Sequence, residues 1–169
     1  MNDTRTVRML TRYNRWANDV IFAAVAALPA GEATKPRVTL FKNIVHTLNH
    51  NYVIDRIFQA HLERRGHGYT ARNTPEAPPL EELARAQREL DDWYVGWSDA
   101  IAPAALAERL DFSFVGGGQG AMTRGEMLLH IVNHTSYHRG FVADMFYQVP
   151  ARPPVTDLTV FLRDACPPL

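Results

Sequence analysis

The 169-residue chain has a single cysteine, no long apolar run and no excess charge of either sign. Each scarcity removes a class of protein. One cysteine cannot close an internal disulfide, and Cys166 stands in a proline-rich stretch, CPPL. A reducing, cytoplasmic setting is therefore expected. No stretch approaches the roughly 18 consecutive apolar residues of a membrane span, and the opening MNDTRTVRML has no apolar core of a signal peptide. Lys plus Arg and Asp plus Glu both total 18, and the arginines are scattered apart from Arg64–Arg65. That lacks the basic footprint of a nucleic-acid binder. Neither nucleic acid nor membrane is expected as a partner, which leaves a small-molecule substrate. Internal repeats and low-complexity tracts are absent too.

What is present is a normal apolar share, 46%, in a length that suits one domain with a real core, spanning 1–169. Apolar residues recur at helical spacing from Val7 to Leu28, where Pro29 ends the helix. Thr39 is placed to cap a second helix running to Arg65, stopped by Gly66 and Gly68. RGHGYTARNTPEAPP reads as a loop. A third helix runs from Leu80 to about Ile101, and Pro103 closes it. Leu110, Phe112 and Phe114 alternate with polar residues before three glycines, so a short strand or hairpin fits there. Thr123 and Glu126 form a capping-box pattern that opens a fourth long helix, to about Gln148. Thr156–Ala165 makes a short closing helix. The expected fold is all-α: a four-helix bundle with a hairpin before the last long helix and a short C-terminal helix. Its apolar helix faces also suit a homodimer.

Histidines carry the functional signal. His130, His134 and His138 stand four apart on the fourth helix, and His46 and His50 stand four apart on the second. Residues at that spacing share a helix face, about 6 Å apart, so two imidazoles can reach one ion. Residues eight apart are about 12 Å apart along the axis, so the three rungs of the ladder cannot share one ion. Two neighbouring rungs can, and His134 belongs to either pair. A third ligand must come from another helix, and inward side chains on facing helices are how bundles build metal sites. A lone pair of histidines at this spacing is more often ordinary; two such pairs on two helices of one bundle shift the balance. His61 and His67 lack this context and read as solvated. No HExxH glutamate base is present, since Ile131 follows His130 and Thr135 follows His134.

The motifs YNRWAN, TLNHNYVIDRIF and NHTSYHRG resemble the DinB family, the DinB/YfiT-like metalloenzymes, over nearly the whole chain. The most specific part is His-x-x-x-His-Arg-Gly in the fourth helix, with a histidine five residues before Asp-Arg in the second. The resemblance implies a bundle that holds a divalent metal ion through three histidines. Matched residue by residue, these are His50, His134 and His138. His130 and His46 then lie about one turn from the site. Many relatives have Gln and Trp where this chain has Phe141 and Phe58, which implies a reshaped pocket.

A three-histidine site with room for a further ligand polarises carbonyls, lowers the pKa of bound water, or deprotonates a thiol. Asp55 is five residues after His50 and Asp144 six after His138, so neither stands beside its histidine as a base. That favours thiol or Lewis-acid chemistry over hydrolysis. The resemblance points the same way, towards S-transferases that use a low-molecular-weight thiol and a thiol-dependent isomerase. A hydrolase on the same site, or a metal-binding protein without turnover, are the alternatives. All-histidine ligation suits Zn, Ni, Fe or Cu alike. No catalytic side chain is assigned. Tyr137 reads as a packing residue, Arg139 as solvated or ion-paired, and Gly116–Gly118 as a hairpin turn rather than a phosphate loop.

Overall fold

Four long helices form where the apolar spacing is helical: α1 (Thr4–Ala26), α2 (Ile44–Leu62), α3 (Leu80–Ala100) and, after a short α4 (Pro103–Leu106) and a hairpin, α5 (Arg124–Phe146). The hairpin strands are β1 (Arg109–Ser113) and β2 (Gln119–Thr123), and α6 (Leu158–Asp164) closes the chain. The computed structural model describes residues 4–168. Two boundaries differ from expectation. The cap of α2 is Asn43, not Thr39: its side chain accepts the His46 N–H at 2.8 Å. Lys42, at φ 68°, is left-handed and blocks any helix from running through it. The same helix stops at Leu62 rather than Arg65, because Arg64 also turns left-handed, at φ 56°. Pro103 opens α4 instead of merely ending α3, a first-turn position where a missing N–H costs nothing. The capping box of α5 forms in both directions, Thr123 to the Glu126 N–H and Glu126 to the Thr123 N–H.

The helices pair antiparallel, α1 against α3 and α2 against α5. Along the first pair, Thr11 meets Ser98 and Arg12 makes a two-pronged contact with Asp99, while Asn18 reaches Asp91. Along the second, His50 lies beside His134 and Phe58 beside His130. The apolar core fills the space between the pairs, with Val53, Ile57, Leu90 and Met127 in one cluster and Ile21, Leu48, Leu83 and Phe146 in another. The two strands pair antiparallel, and Leu110 and Phe112 turn inward onto the α2/α5 side. The glycine run makes the hairpin turn; Gly117 and Gly118 both sit at φ 92°, which L side chains avoid.

A buried polar chain crosses the middle of the bundle. Arg139, expected at the surface, is 2% exposed. It donates to Asn14 at 2.7 Å and to Asn18 at 3.0 Å. Asn18 donates to Asp91, and Gln87 donates to both Asp91 and Asp55. Thr135 donates to Asp55, and the Tyr94 hydroxyl to the Asp55 backbone carbonyl. Each of the four long helices contributes. Burial pushes the Asp91 carboxyl up to about 7 and raises Asp55 as well, with Asp91 adding to the latter.

Replacing Asn43 with alanine removes the true cap of α2 and is expected to cost about 1 kcal/mol. Thr39→Ala is expected to stay within about 0.5 kcal/mol. Denaturant unfolding of both variants checks this, and equal effects would contradict the assigned boundary.

Candidate metal centre

His50, His134 and His138 converge, one ring nitrogen from each lying within 4.8 Å of the others. Among the described residues, no other set of three or more His, Cys, Asp or Glu side chains gathers in this way. His50 Nε2 stands 3.1 Å from His134 Nε2, and the His138 ring is 4.6 and 4.5 Å, centre to centre, from those of His50 and His134. His50 Nδ1 donates to the carbonyl of Arg72 at 2.6 Å, which turns the Nε2 lone pair towards His134. With metal–nitrogen bonds of 2.0–2.1 Å, two nitrogens at the observed spacing subtend an angle of about 100° at an ion. The donor set therefore fits a divalent metal, and the backbone hydrogen bond on His50 is the kind that orients ligating imidazoles.

Electrostatics agree with that fit. Burial pushes the His134 imidazole down to about 3, with the neighbouring imidazoles adding to the shift. Burial, then His50, takes His138 to about 4, and burial also lowers His50. All three stay neutral near pH 7, as ligands must. Phe41 roofs the group, stacked on His50 with ring centres 4.2 Å apart.

The open side faces a cavity of about 1120 Å³ between α2, α5 and the hairpin. Ile54, Phe58, Phe112 and Met122 line it, and no Asp or Glu does. Asp55 points away, into the buried polar chain. Phe112 lies across Gly120, where a Cβ would meet its ring at 2.6 Å, so the wall depends on that glycine. Of the other histidines, His130 lines the cavity with its ring 5.6 Å from that of His134. His46 instead contacts the Thr74 carbonyl and is not part of the wall. His61 was expected in solvent but is half-buried against Phe112, and burial takes it to about 4. His67 sits edge-on to it. Tyr137 does not pack inward; it is 63% exposed on the cavity lip.

A family model described as "DinB family" matches residues 1–168. The chain belongs to the DinB family. Protein DinB of Bacillus subtilis (strain 168) is 27% identical over 159 residues, covering 90% of this chain and 91% of that protein. A crystal structure of a DinB-like protein from Bacillus cereus ATCC 10987 superposes with a TM-score of 0.61 at 15% identity, over 83% of this chain and 90% of that one. The second likeness is one of fold.

In this DinB-family chain, Phe58 and Phe141 both sit near the histidines. The Phe58 ring lies tilted 4.5 Å from that of His130, and the Phe141 ring 5.6 Å from that of His138. Sequence reasoning missed the Phe41 roof, the hairpin wall and the Arg72 carbonyl. A stripe of His50, Ile54, Phe58 and His61 on one face of α2 was the available signal for the cavity. A backbone carbonyl has no signal in sequence.

Two measurements follow. Elemental analysis of untagged protein is expected to find about one metal ion per chain, lost in His138→Ala and kept in His130→Ala. In metal-free protein, the His134 and His138 imidazoles are expected to titrate below pH 5 by NMR, following their shifts to about 3 and about 4. Midpoints near 6.5 would mean that the rings are solvated.

Proposed function

We propose that this protein is a metal-dependent enzyme that uses a low-molecular-weight thiol, either transferring its sulfur to an electrophilic carbon or isomerising a substrate through such an adduct. One observation carries the reading: three neutral imidazoles converge on an apolar cavity whose walls hold no carboxylate. Metal-dependent hydrolases commonly set a carboxylate base beside the metal-bound water, whereas coordination to a metal ion is enough to deprotonate a thiol. A divalent ion held by His50, His134 and His138 would supply Lewis acidity and lower the pKa of a thiol or water brought to it.

The remaining roles fall to the chain itself. Phe41 and the apolar walls exclude water, which strengthens charge interactions inside. His130, held neutral by burial, faces the cavity and can accept a proton. In transfer, a carbon–sulfur bond forms as a leaving group departs; in isomerisation, the same bond forms and later breaks. The reading keeps a small-molecule substrate, a cytoplasmic setting and a homodimer. It has no role for nucleic acid or membrane, and no helix among the described residues is long and apolar enough to cross one.

A hydrolase is the second reading, favoured by His130 beside His134, which could serve as a base for water. Assays with a panel of biological thiols and an activated electrophile separate the two. Metal-dependent thiol consumption is expected, abolished in His138→Ala and reduced roughly 10²–10⁴-fold in His130→Ala by loss of the proton acceptor. Metal-replete, folded protein that consumes no thiol, yet hydrolyses esters or amides with an inflection near neutral pH, would turn the assignment to hydrolase.

A further inference from the structure

The cavity does not end at the histidines. His50, Ile54, Phe58 and His61 form one face of α2, and all four line it. From His50 to His61 is eleven residues, or about 16 Å of helix. At the His61 end, a second recess of about 740 Å³ adjoins the cavity, and the two share His61, Phe112 and Ser113 as walls.

This recess differs in chemistry from the first. Arg64, Arg65, Arg109 and His67 line it, against one carboxylate, Asp111. Arg64 pairs with Glu108 and Arg65 with Glu63, both at the exposed rim. Arg109 makes no hydrogen bond or ion pair among the described residues and is exposed on β1, where its charge also acts on the Glu126 carboxylate. Three arginines line this recess, whereas the main cavity has one, Arg72, beside His50.

We infer that the ligand of this groove is an elongated small molecule with a metal-seeking group at one end, an apolar body along Ile54, Phe58 and Met122, and an anionic group at the other end received by Arg109, Arg64 and Arg65. The inference rests on the three-histidine cavity being the ligand site. It adds a specificity that the metal centre alone does not impose. An anion in the recess makes charge-assisted contacts to guanidinium groups. The apolar stretch between the two ends rejects short polar thiols, which reach the histidines but leave both the wall and the arginines unused.

Isothermal titration calorimetry on the zinc-loaded protein tests this with ω-mercaptoundecanoate, ω-mercaptoundecanol, mercaptopropionate and inorganic phosphate. The long carboxylate is expected to bind at least about tenfold more tightly than the long alcohol. That preference should vanish in the Arg64→Gln, Arg65→Gln, Arg109→Gln triple variant, while binding of the alcohol is unchanged and the melting temperature nearly so. Equal affinity for the two long thiols, a preference that survives in the variant, or no binding of either overturns the inference. Inorganic phosphate binding as tightly as the long carboxylate also overturns it, since the recess would then be a separate anion site. The thiol reading is judged separately, by the charge-transfer absorption of cobalt-substituted protein with each thiol. Its absence would remove the thiol from the proposed function even if calorimetry shows the charge preference intact.

Discussion

Arg139 and the buried polar chain around it hold the bundle in register. A guanidinium 2% exposed is costly to bury unless its donors are met and its charge is answered. Nη1 donates to Asn14 and Asn18 and Nη2 to Ser136, the Tyr13 ring lies 5.4 Å from the guanidinium, and only Nε is left without a partner. Apolar packing alone tolerates small rotations of a helix about its axis. A chain of directional hydrogen bonds spanning α1, α2, α3 and α5 does not, because each rotation would strand a buried polar group.

The consequence reaches the histidines directly. Thr135 and Arg139 belong to this chain, and each immediately follows a candidate ligand, His134 and His138. Adjacent helical residues point about 100° apart. Once Thr135 and Arg139 are anchored inward, His134 and His138 are turned towards α2 and the cavity. Asp55 does the same for α2, where His50 lies five residues earlier. The scaffold side of the bundle thus sets the ligand side, without any carboxylate entering the cavity.

Much of the architecture could be read from the chain. The four long helices, the hairpin and the capping box of Thr123 and Glu126 follow from local periodicity and cap chemistry, which act over a few residues. The start of α2 was misjudged because Thr39 and Asn43 are both good caps. The choice depended on Lys42 adopting a left-handed turn, which its side chain does not announce. Arg139 was misread for a related reason: a lone arginine on a helix is ordinarily solvated, and its asparagine partners on α1 are more than a hundred residues away in sequence. His61 and Tyr137 exchanged places relative to expectation, one half-buried and the other exposed, since each depends on where the hairpin folds over α2.

By itself, the sequence determined the helices and the histidine pairs. Its spacing narrowed the ladder to two neighbouring rungs, and resemblance to DinB proteins selected His134 and His138 with His50. Only the tertiary structure decided that these three rings converge, that His130 faces the same cavity while His46 does not, and that an arginine-lined recess adjoins it. The physical reason is range. Helical periodicity and capping are local properties of the chain, whereas a cavity is the space left between α2, α5 and a hairpin that are far apart in sequence. Its shape and charge exist only once those elements have packed.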